Sequence, residues 1–336
     1  MSNQEEQQAR VALGDAIRTI RPLVTMSREG LVVTALEWGG AREAAYETAA
    51  AAARAGDLEL REQGSGTVPA IEALTKAKPV VIFAGDTVVG GKQNRIINIT
   101  VWLPPAAVTA IPVSCLELGR WNQGSRFQAD RKVDYGLRAM MSDQMAEVAA
   151  MEVGPHPQAG PQAPRRSHAA DQGRVWAEIA AKEARYGERS RTAALHDLYA
   201  REAIDTAELA RAFPCPAGAA GVAVGIGGRL VAVELFDAPT TLAEQWPRLV
   251  EAAASAHADH RRAVAAGYAP REQHRYPDEG ALGRLLQRAA LAAADAIVGP
   301  SVGEGLDIRL AGHRVRGGAL VVGGRPVHLE LFRVPD

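Results

Sequence analysis

The feature that most constrains the fold is a ten-residue pattern that occurs twice in the last third of the chain. Gly-Gly-Arg-Leu-Val-Ala-Val-Glu-Leu-Phe at 227–236 matches Gly-Gly-Arg-Pro-Val-His-Leu-Glu-Leu-Phe at 323–332. Two glycines before alternating apolar residues are typical of a tight turn leading into a strand, so we predict β-hairpins over 221–236 and 305–332. Helical patterns at 240–266 and 281–297 can cover their apolar faces. We expect two similar hairpins in one domain, with internal duplication as the alternative.

The remaining patterns indicate an α+β fold with a mainly antiparallel sheet and a helical middle segment. A helix ending at residue 20 is expected to be peripheral, and one domain is expected over 21–336. The predicted strands are 30–36, 58–61, 68–71, 79–83, 96–103 and 108–116, the last two pairing as a hairpin. Helices are predicted at 41–55, 133–152 and after Asp171, which is a good N-cap. The Pro-rich stretch within 154–170 predicts a flexible, exposed loop.

Composition excludes several classes of function. The formal net charge is −1, so a nucleic-acid partner would need a local basic patch, and we do not expect one. Cys115 and Cys215 are the only cysteines, which excludes a disulfide framework and a thiolate zinc site. His257 and His260 lie one helical turn apart but lack a third ligand, so no metal is predicted. No apolar span or leader is visible, which predicts a cytoplasmic protein without a membrane partner. No cofactor is indicated.

The segment at 90–95 is the strongest candidate for a binding site. It places two glycines, a cation, two carboxamides and a guanidinium between two strand patterns: Gly90, Gly91, Lys92, Gln93, Asn94 and Arg95. Glycines allow a tight turn, and the two cations could hold a phosphate while the carboxamides contact a base or ribose. The alternative is a solvated turn that is polar because turns are polar.

The strand that follows this turn should add further polar groups. Alternation places Asn98, Thr100 and Trp102 on the face of a polar cleft, opposite a core face that carries Arg95. Asp86 and Glu117 are the candidate general bases, with Lys92 as a third catalytic candidate, because each acid stands alone among apolar neighbours. Structural ion pairs with Lys92 or with Arg120 are equally compatible with those two acids.

Other candidates have a competing structural interpretation. Arg120 and Trp121 could clamp and stack on a nucleobase, although a Trp after a strand is commonly part of a core. Cys115 could be a nucleophile, but its apolar context favours a small buried hydrophobe. Asp171 and Gln172 could contribute to a site or merely begin a helix, and His328 could face the same cleft as the turn or be structural.

Several of these motifs together carry a family resemblance. They are 80–86 (Val-Val-Ile-Phe-Ala-Gly-Asp), 90–98 with the Lys-Gln-Asn-Arg string, 113–121 (Val-Ser-Cys-Leu-Glu-Leu-Gly-Arg-Trp) and 171–176 (Asp-Gln-Gly-Arg-Val-Trp). Over roughly residues 21–336 the chain resembles the bacterial ADP-ribosylglycohydrolase- and rhodanese/phosphatase-associated protein domain family. The resemblance implies a link to ADP-ribose or nucleotide metabolism and no particular reaction. Thr87 stands where the family pattern has a second acid after Asp86, which weakens a two-carboxylate mechanism there.

The leading hypothesis from the sequence is binding or processing of a phosphate-bearing nucleotide or ADP-ribose-like ligand around Lys92 and Arg95. Asp86 or Glu117 would then act as the base in a hydrolase or transferase. The first alternative is a non-enzymatic protein-interaction or scaffold domain. The second is an RNA-binding protein that uses Lys92, Arg95, Arg120 and Arg126, which would show salt-dependent affinity.

Overall fold

The computed structural model describes residues 2–64, 66, 68–118, 124, 126–153, 168–187, 194–269 and 280–334. In chain order the first elements are α1 (Asn3–Arg18), β1 (Ile20–Arg28), β2 (Leu31–Trp38), β3 (Glu47–Thr48), α2 (Ala49–Ala55), β4 (Leu58–Glu62), β5 (Ala70–Thr75), β6 (Val80–Ile82), β7 (Asp86–Gly90), β8 (Arg95–Ile97), β9 (Val101–Leu103), β10 (Val108–Cys115) and β11 (Arg126–Lys132). They are followed by α3 (Tyr135–Val153), α4 (Gln172–Tyr186), α5 (Leu195–Arg211), β12 (Gly221–Ile226), β13 (Arg229–Phe236), α6 (Pro239–Ala265), α7 (Ala281–Ala292), a short 3₁₀ helix (Ala293–Asp295), β14 (Ile297–Pro300), β15 (Leu306–Gly312), β16 (Val315–Val322) and β17 (Arg325–Arg333).

An eight-stranded antiparallel sheet forms the frame of the molecule. Its strand order is β1-β2-β12-β13-β17-β16-β15-β14, so two four-stranded meanders meet at the central pair β13 and β17. A helix precedes each meander, α1 in the first half and α7 in the second, and the two helices pack against each other. The halves are therefore related by an approximate twofold axis through the middle of the sheet.

The two hairpins predicted from the repeated pattern share more than their sequence. Gly221 pairs with Leu235 and Gly317 with Leu331, and both ladders shift register at the same place, after Val224 and after Leu320. Where the halves meet, the equivalent residues Glu234 and Glu330 lie directly opposite each other. Because register and bulge are both repeated, the two meanders are one structural unit used twice.

The segment between β2 and β12 forms the rest of the fold. It contains a closed six-stranded barrel, in the order β10-β5-β4-β11-β7-β8, and a three-stranded sheet β3-β6-β9. The only parallel ladder among the described strands joins β3 to β6. α6 and α3 pack between the large sheet and these inserted elements, while α1 and α7 cover the opposite face of the sheet.

The structure confirms the α+β class, the hairpin turn at 227–228 and the long helix after it. Two local predictions were wrong. The helix expected at 41–55 begins only at Ala49, because the two preceding residues pair as a strand with β6. The run 96–103 is split between two sheets, and β9 pairs with β6 rather than with β10. α1 packs on the outer face of the large sheet and buries Leu13 and Ile17 completely. Most of the loop at 154–170 lies outside the described residues.

Candidate functional site

The predicted polar turn lies on the wall of the barrel and is held by two carboxylates. Gly90 and Gly91 have φ of 101° and 53°, and a Cβ on Gly90 would lie 2.7 Å from Arg126 O, so this close approach requires glycine. Glu117 Oε1 accepts a hydrogen bond from Asn94 Nδ2 at 2.6 Å and its Oε2 accepts one from the Asn94 backbone at 3.2 Å. Glu62 Oε1 accepts one from the Lys92 backbone at 2.7 Å.

We call these groups the turn cluster, defined as Glu62, Lys92, Gln93, Asn94, Arg95, Cys115 and Glu117. Its interior is a hydrogen-bonded layer around Arg95, whose side chain is fully buried. Arg95 Nη1 donates to Gln93 Oε1 at 2.8 Å and contacts Cys115 Sγ. Gln93 Nε2 donates to the backbone oxygen of Glu117 at 3.1 Å. The turn is therefore not a solvated loop, and the Arg95 guanidinium lies inside the protein rather than in an open cleft.

Cys115 is buried in the same layer and behaves as a thiol. Burial raises its pKa, and the carboxylates of Glu62 and Glu117 raise it further against the opposing charge of Arg95. Its Sγ donates to Gln93 Oε1 at 3.1 Å. A thiol that stays protonated at neutral pH is a poor nucleophile, so the structure favours the buried-hydrophobe interpretation.

Glu62 is the member of the turn cluster that sequence analysis missed. It is buried, and its Oε2 receives no hydrogen bond within the described part of the chain. A buried carboxylate oxygen without a partner is uncommon and points to a role beyond packing. Lys92 is only partly buried, and with Gly66 it marks where the turn cluster meets solvent. Two carboxylates and one ammonium thus surround a single turn.

Asp86 lies in a different place, at the junction of barrel and sheet. Its Oδ1 is 3.2 Å from Lys132 Nζ, and Lys132 also lies 3.3 Å from Glu234 Oε1. Arg138 Nη2 lies 2.8 Å from Glu234 Oε2 and 3.0 Å from Glu330 Oε2, so it links the two carboxylates. All five side chains are buried. Asp86 therefore forms a structural ion pair with Lys132.

His328 belongs to this interior charge network and does not face the turn cluster. Its Nε2 lies 3.0 Å from Glu234 Oε1, and its Nδ1 lies 2.8 Å from Thr100 Oγ1. Thr100 in turn accepts from the backbone of Ala84 at 3.0 Å. These bonds connect the residue before β9 to β17. Thr100 and Trp102 are buried, so they do not face an open polar cleft within the described part of the chain.

Asn98 is buried in a third polar group. Its Oδ1 accepts from Ser114 Oγ at 2.9 Å, and its Nδ2 donates to the backbone oxygen of His168 at 2.9 Å. His168 Nε2 lies 3.4 Å from Asp307, which Arg309 holds with two bonds of 2.6 and 2.9 Å. Burial alone would raise the pKa of Asp307, but Arg309 and His168 hold it well below its usual value. These residues connect the barrel to β15.

Asp171 and Gln172 fix the start of α4 against β10. Asp171 accepts from the backbone of Gly173 at 2.9 Å and of Arg174 at 3.4 Å, which confirms the predicted N-cap. The Gln172 amide accepts from Cys115 N at 2.7 Å and donates to Cys115 O at 2.8 Å. The Gln172 amide thus makes the same pair of hydrogen bonds to β10 that a residue of a neighbouring strand would make. Both polar atoms of the Gln172 amide are used in these two hydrogen bonds, which position Cys115.

Two predicted residues, Arg120 and Trp121, lie outside the described residues. None of the described helices is long and apolar enough to cross a membrane. Among the residues with described positions, His, Cys, Asp and Glu side chains form no group of three that could hold a metal ion.

Comparison with known protein families gives a match over most of the chain. The model of the ARG and Rhodanese-Phosphatase-superfamily-associated Protein domain, ARPP-1, matches residues 19–332. The chain belongs to this family. The ARPP-1 domain runs from the start of β1 almost to the end of β17, so it includes both halves of the large sheet and the inserted barrel, while α1 precedes it. Comparison with curated proteins gives no match, and neither does comparison with solved structures.

Proposed function

We propose that this ARPP-1 domain binds and processes a phosphate-bearing nucleotide or an ADP-ribose-like ligand at the turn cluster. The observation that carries the proposal is a carboxylate oxygen of Glu62 that has no partner among the described residues, while the other oxygen accepts a hydrogen bond from the backbone of Lys92 in the turn. A lysine ammonium neutralises a phosphate, and a carboxylate with a free oxygen can accept a proton from an attacking water. Glu117, engaged by Asn94, positions the turn and supplies the second carboxylate.

The family description supports the ligand class by association only, since it names an ADP-ribosylglycohydrolase and phosphatases beside which such domains occur. Cleavage of a glycosidic bond to ribose commonly uses a pair of carboxylates, one as acid and one as base or nucleophile. In the proposal, Glu62 and Glu117 are that pair and Lys92 holds the phosphate. Asp86, assigned to the interior charge network, takes no part. The proposed location of the protein is the cytoplasm.

Lys92→Ala is expected to weaken ligand binding about ten- to a hundredfold, because it removes one charge-assisted hydrogen bond to phosphate. Lys76→Ala is the matched control, since Lys76 is an exposed lysine at the end of β5 on the same barrel. Isothermal titration calorimetry with ADP-ribose, ADP and ribose 5-phosphate measures the effect. Equal affinities of wild type and Lys92→Ala for every ligand would contradict the proposal, and a loss of stability without a change in affinity would make the turn structural.

Glu62→Gln is expected to leave binding intact and to abolish turnover of any ligand that the wild type hydrolyses. The amide oxygen still accepts the hydrogen bond from Lys92 N, but the side chain can no longer take up a proton. Glu59→Gln on the same strand is the control, because Glu59 lies on the outer face and pairs with Arg126. Product formation is followed by chromatography. Full activity of Glu62→Gln would remove Glu62 from the mechanism.

A further inference from the structure

A cavity rich in arginine lies at one end of the large sheet, away from the barrel. Its volume is about 290 Å³, and the turn between β12 and β13, the first half of α7, the turn between β15 and β16 and the end of β17 line it. Leu230 and Leu285, both buried in the core under α7, form its apolar wall. Five arginines complete the lining: Arg229, Arg284, Arg288, Arg314 and Arg333.

Three of the five arginines have no carboxylate partner in the part of the chain that the structure describes. No acidic residue is among the described residues that line it. Arg229, Arg288 and Arg333 form no ion pair within the described ranges, whereas Arg138, Arg185 and Arg309 elsewhere are each held by carboxylates. The whole chain carries a formal net charge of −1, so the five arginines around this cavity do not reflect a general excess of positive charge.

One of the five arginines is held in an unfavourable backbone conformation. The turns at 227–228 and 323–324 each use two glycines with positive φ. The turn between β15 and β16 instead uses His313 and Arg314, and Arg314 has a φ of 59°. A non-glycine residue in this region costs about 1 kcal/mol or more, and such strain is concentrated at functional sites. The residue with this strained backbone, Arg314, is one of the arginines that line the cavity.

We propose that this cavity is a second binding site and that it takes the diphosphate group of a small molecule. Guanidinium groups bind phosphate oxygens in pairs of parallel hydrogen bonds, so several arginines around one space suit an anion with two or more phosphates. The N-terminal end of α7, which begins at Ala281 in the wall, adds the positive end of its helix dipole. The volume lies at the lower limit for small-molecule sites, which fits pyrophosphate or a single nucleoside diphosphate.

This site is independent of the turn cluster. Its residues come from β13, α7, β17 and the turn before β16, and none belongs to the barrel. Its ligand does not have to be the molecule that the turn cluster binds. Variants of the cavity arginines leave every residue of the turn cluster unchanged, so the two proposals can fail separately.

The repeated sequence supplies a matched pair of variants for the test. Arg229 and Arg325 occupy the same position in the two Gly-Gly-Arg turns, and both are exposed, but only Arg229 lines the cavity. Calorimetric titration of the full chain with inorganic pyrophosphate at 150 mM salt, roughly the physiological ionic strength, is the measurement. We expect binding by the wild type, a loss of about tenfold or more in Arg229→Ala and in Arg288→Ala, and no change in Arg325→Ala.

Further titrations distinguish the possible sources of the diphosphate and the competing explanations. Tighter binding of ADP than of pyrophosphate would assign a nucleoside diphosphate, and equal binding would assign the diphosphate alone; either supports the site. The proposal is overturned by absence of pyrophosphate binding, by an equal loss in Arg325→Ala, or by equal affinity for orthophosphate and sulfate. Tighter binding of a short RNA, with a steep dependence on salt, would overturn it in favour of a nucleic-acid surface.

Discussion

Glu234→Gln is expected to lower the free energy of unfolding by ~3–5 kcal/mol, the largest effect of any single substitution proposed for this protein. Glu234 is 1% exposed and lies against three groups, Lys132, Arg138 and His328, at 2.8 to 3.3 Å. The substitution removes the one carboxylate that Lys132 and Arg138 share, and each cation then keeps a single carboxylate partner, Asp86 or Glu330. Removing one partner of a buried ion pair is expensive because no water can replace the lost contacts.

Glu330→Gln provides the matched comparison, because Glu330 is the residue equivalent to Glu234 in the other half of the sheet. Its carboxylate meets one cation, Arg138 at 3.0 Å, so its loss should cost clearly less. Chemical denaturation of both variants, monitored by circular dichroism, measures how much each substitution lowers the free energy of unfolding. Similar costs for Glu234→Gln and Glu330→Gln would show that the network does not depend on the three-way contact of Glu234.

The effect of Glu234→Gln should also depend on pH. Burial alone would raise the pKa of Glu234, but Arg138 and Lys132 more than offset this and hold the pKa below the ordinary value of 4.5. A carboxyl whose pKa is lowered by folding stabilises the protein above its unfolded pKa and loses that contribution as the pH falls through the folded pKa. The stability difference between wild type and Glu234→Gln should therefore be full at pH 7 and shrink below about pH 4.5.

Gly317→Ala is expected to destabilise the protein by about 3 kcal/mol, through crowding between two central strands. A Cβ on Gly317 would collide with the backbone oxygen of Glu330, and a Cβ on Gly221 would lie 2.7 Å from that of Glu234. The same glycine is thus required in both halves of the sheet. Neither backbone oxygen can move without breaking the ladders that join β13, β17 and their neighbours.

Gly283→Ala is the control for this prediction and should change stability in the opposite direction. Gly283 lies within α7, and a Cβ there would meet no atom within 4 Å. Gly283 is the third residue of α7, and alanine is favoured over glycine in a helix by at most about 0.5–1 kcal/mol, so a small gain is expected. Thermal unfolding shows whether Gly317→Ala and Gly283→Ala are less or more stable than the wild type. A neutral Gly317→Ala would show that the central strands can separate without cost.

Elements set by local chemistry were predictable from the sequence. The turn at 227–228 follows from two adjacent glycines, the cap at Asp171 from its side chain, and α6 from a long helical pattern that the structure places at Pro239–Ala265. The strand β1 was missed because Pro22 interrupts its pattern, and it is accommodated by a bulge at the edge of the sheet. Closure of the barrel, and its insertion between β2 and β12, depend on pairings between distant segments that no local pattern encodes.

The candidate sites, too, were predictable only where their residues are adjacent in the sequence. The Lys-Gln-Asn-Arg string was located because its residues are adjacent, but the burial of Arg95 depends on Cys115 and Gln93 closing over it. Glu62 reaches the turn only because β4 and β7 are both partners of β11 in the barrel. The five arginines of the cavity come from four separate segments. Exposed arginines are common, and only the paired halves of the sheet bring these together.

The insertion of the barrel has a consequence for how the chain is made. β2 pairs with β12, and residues 37–220 separate the ends of that ladder at Leu36 and Gly221. During synthesis from the N-terminus, β2 has only β1 as a partner until the whole insert and β12 have been added. The apolar edge strand with Leu31, Val33 and Leu36 therefore stays open through most of translation, the condition under which nascent sheets are most prone to aggregate. Nascent chains that end within the insert are the ones for which chaperone contact at β2 should matter.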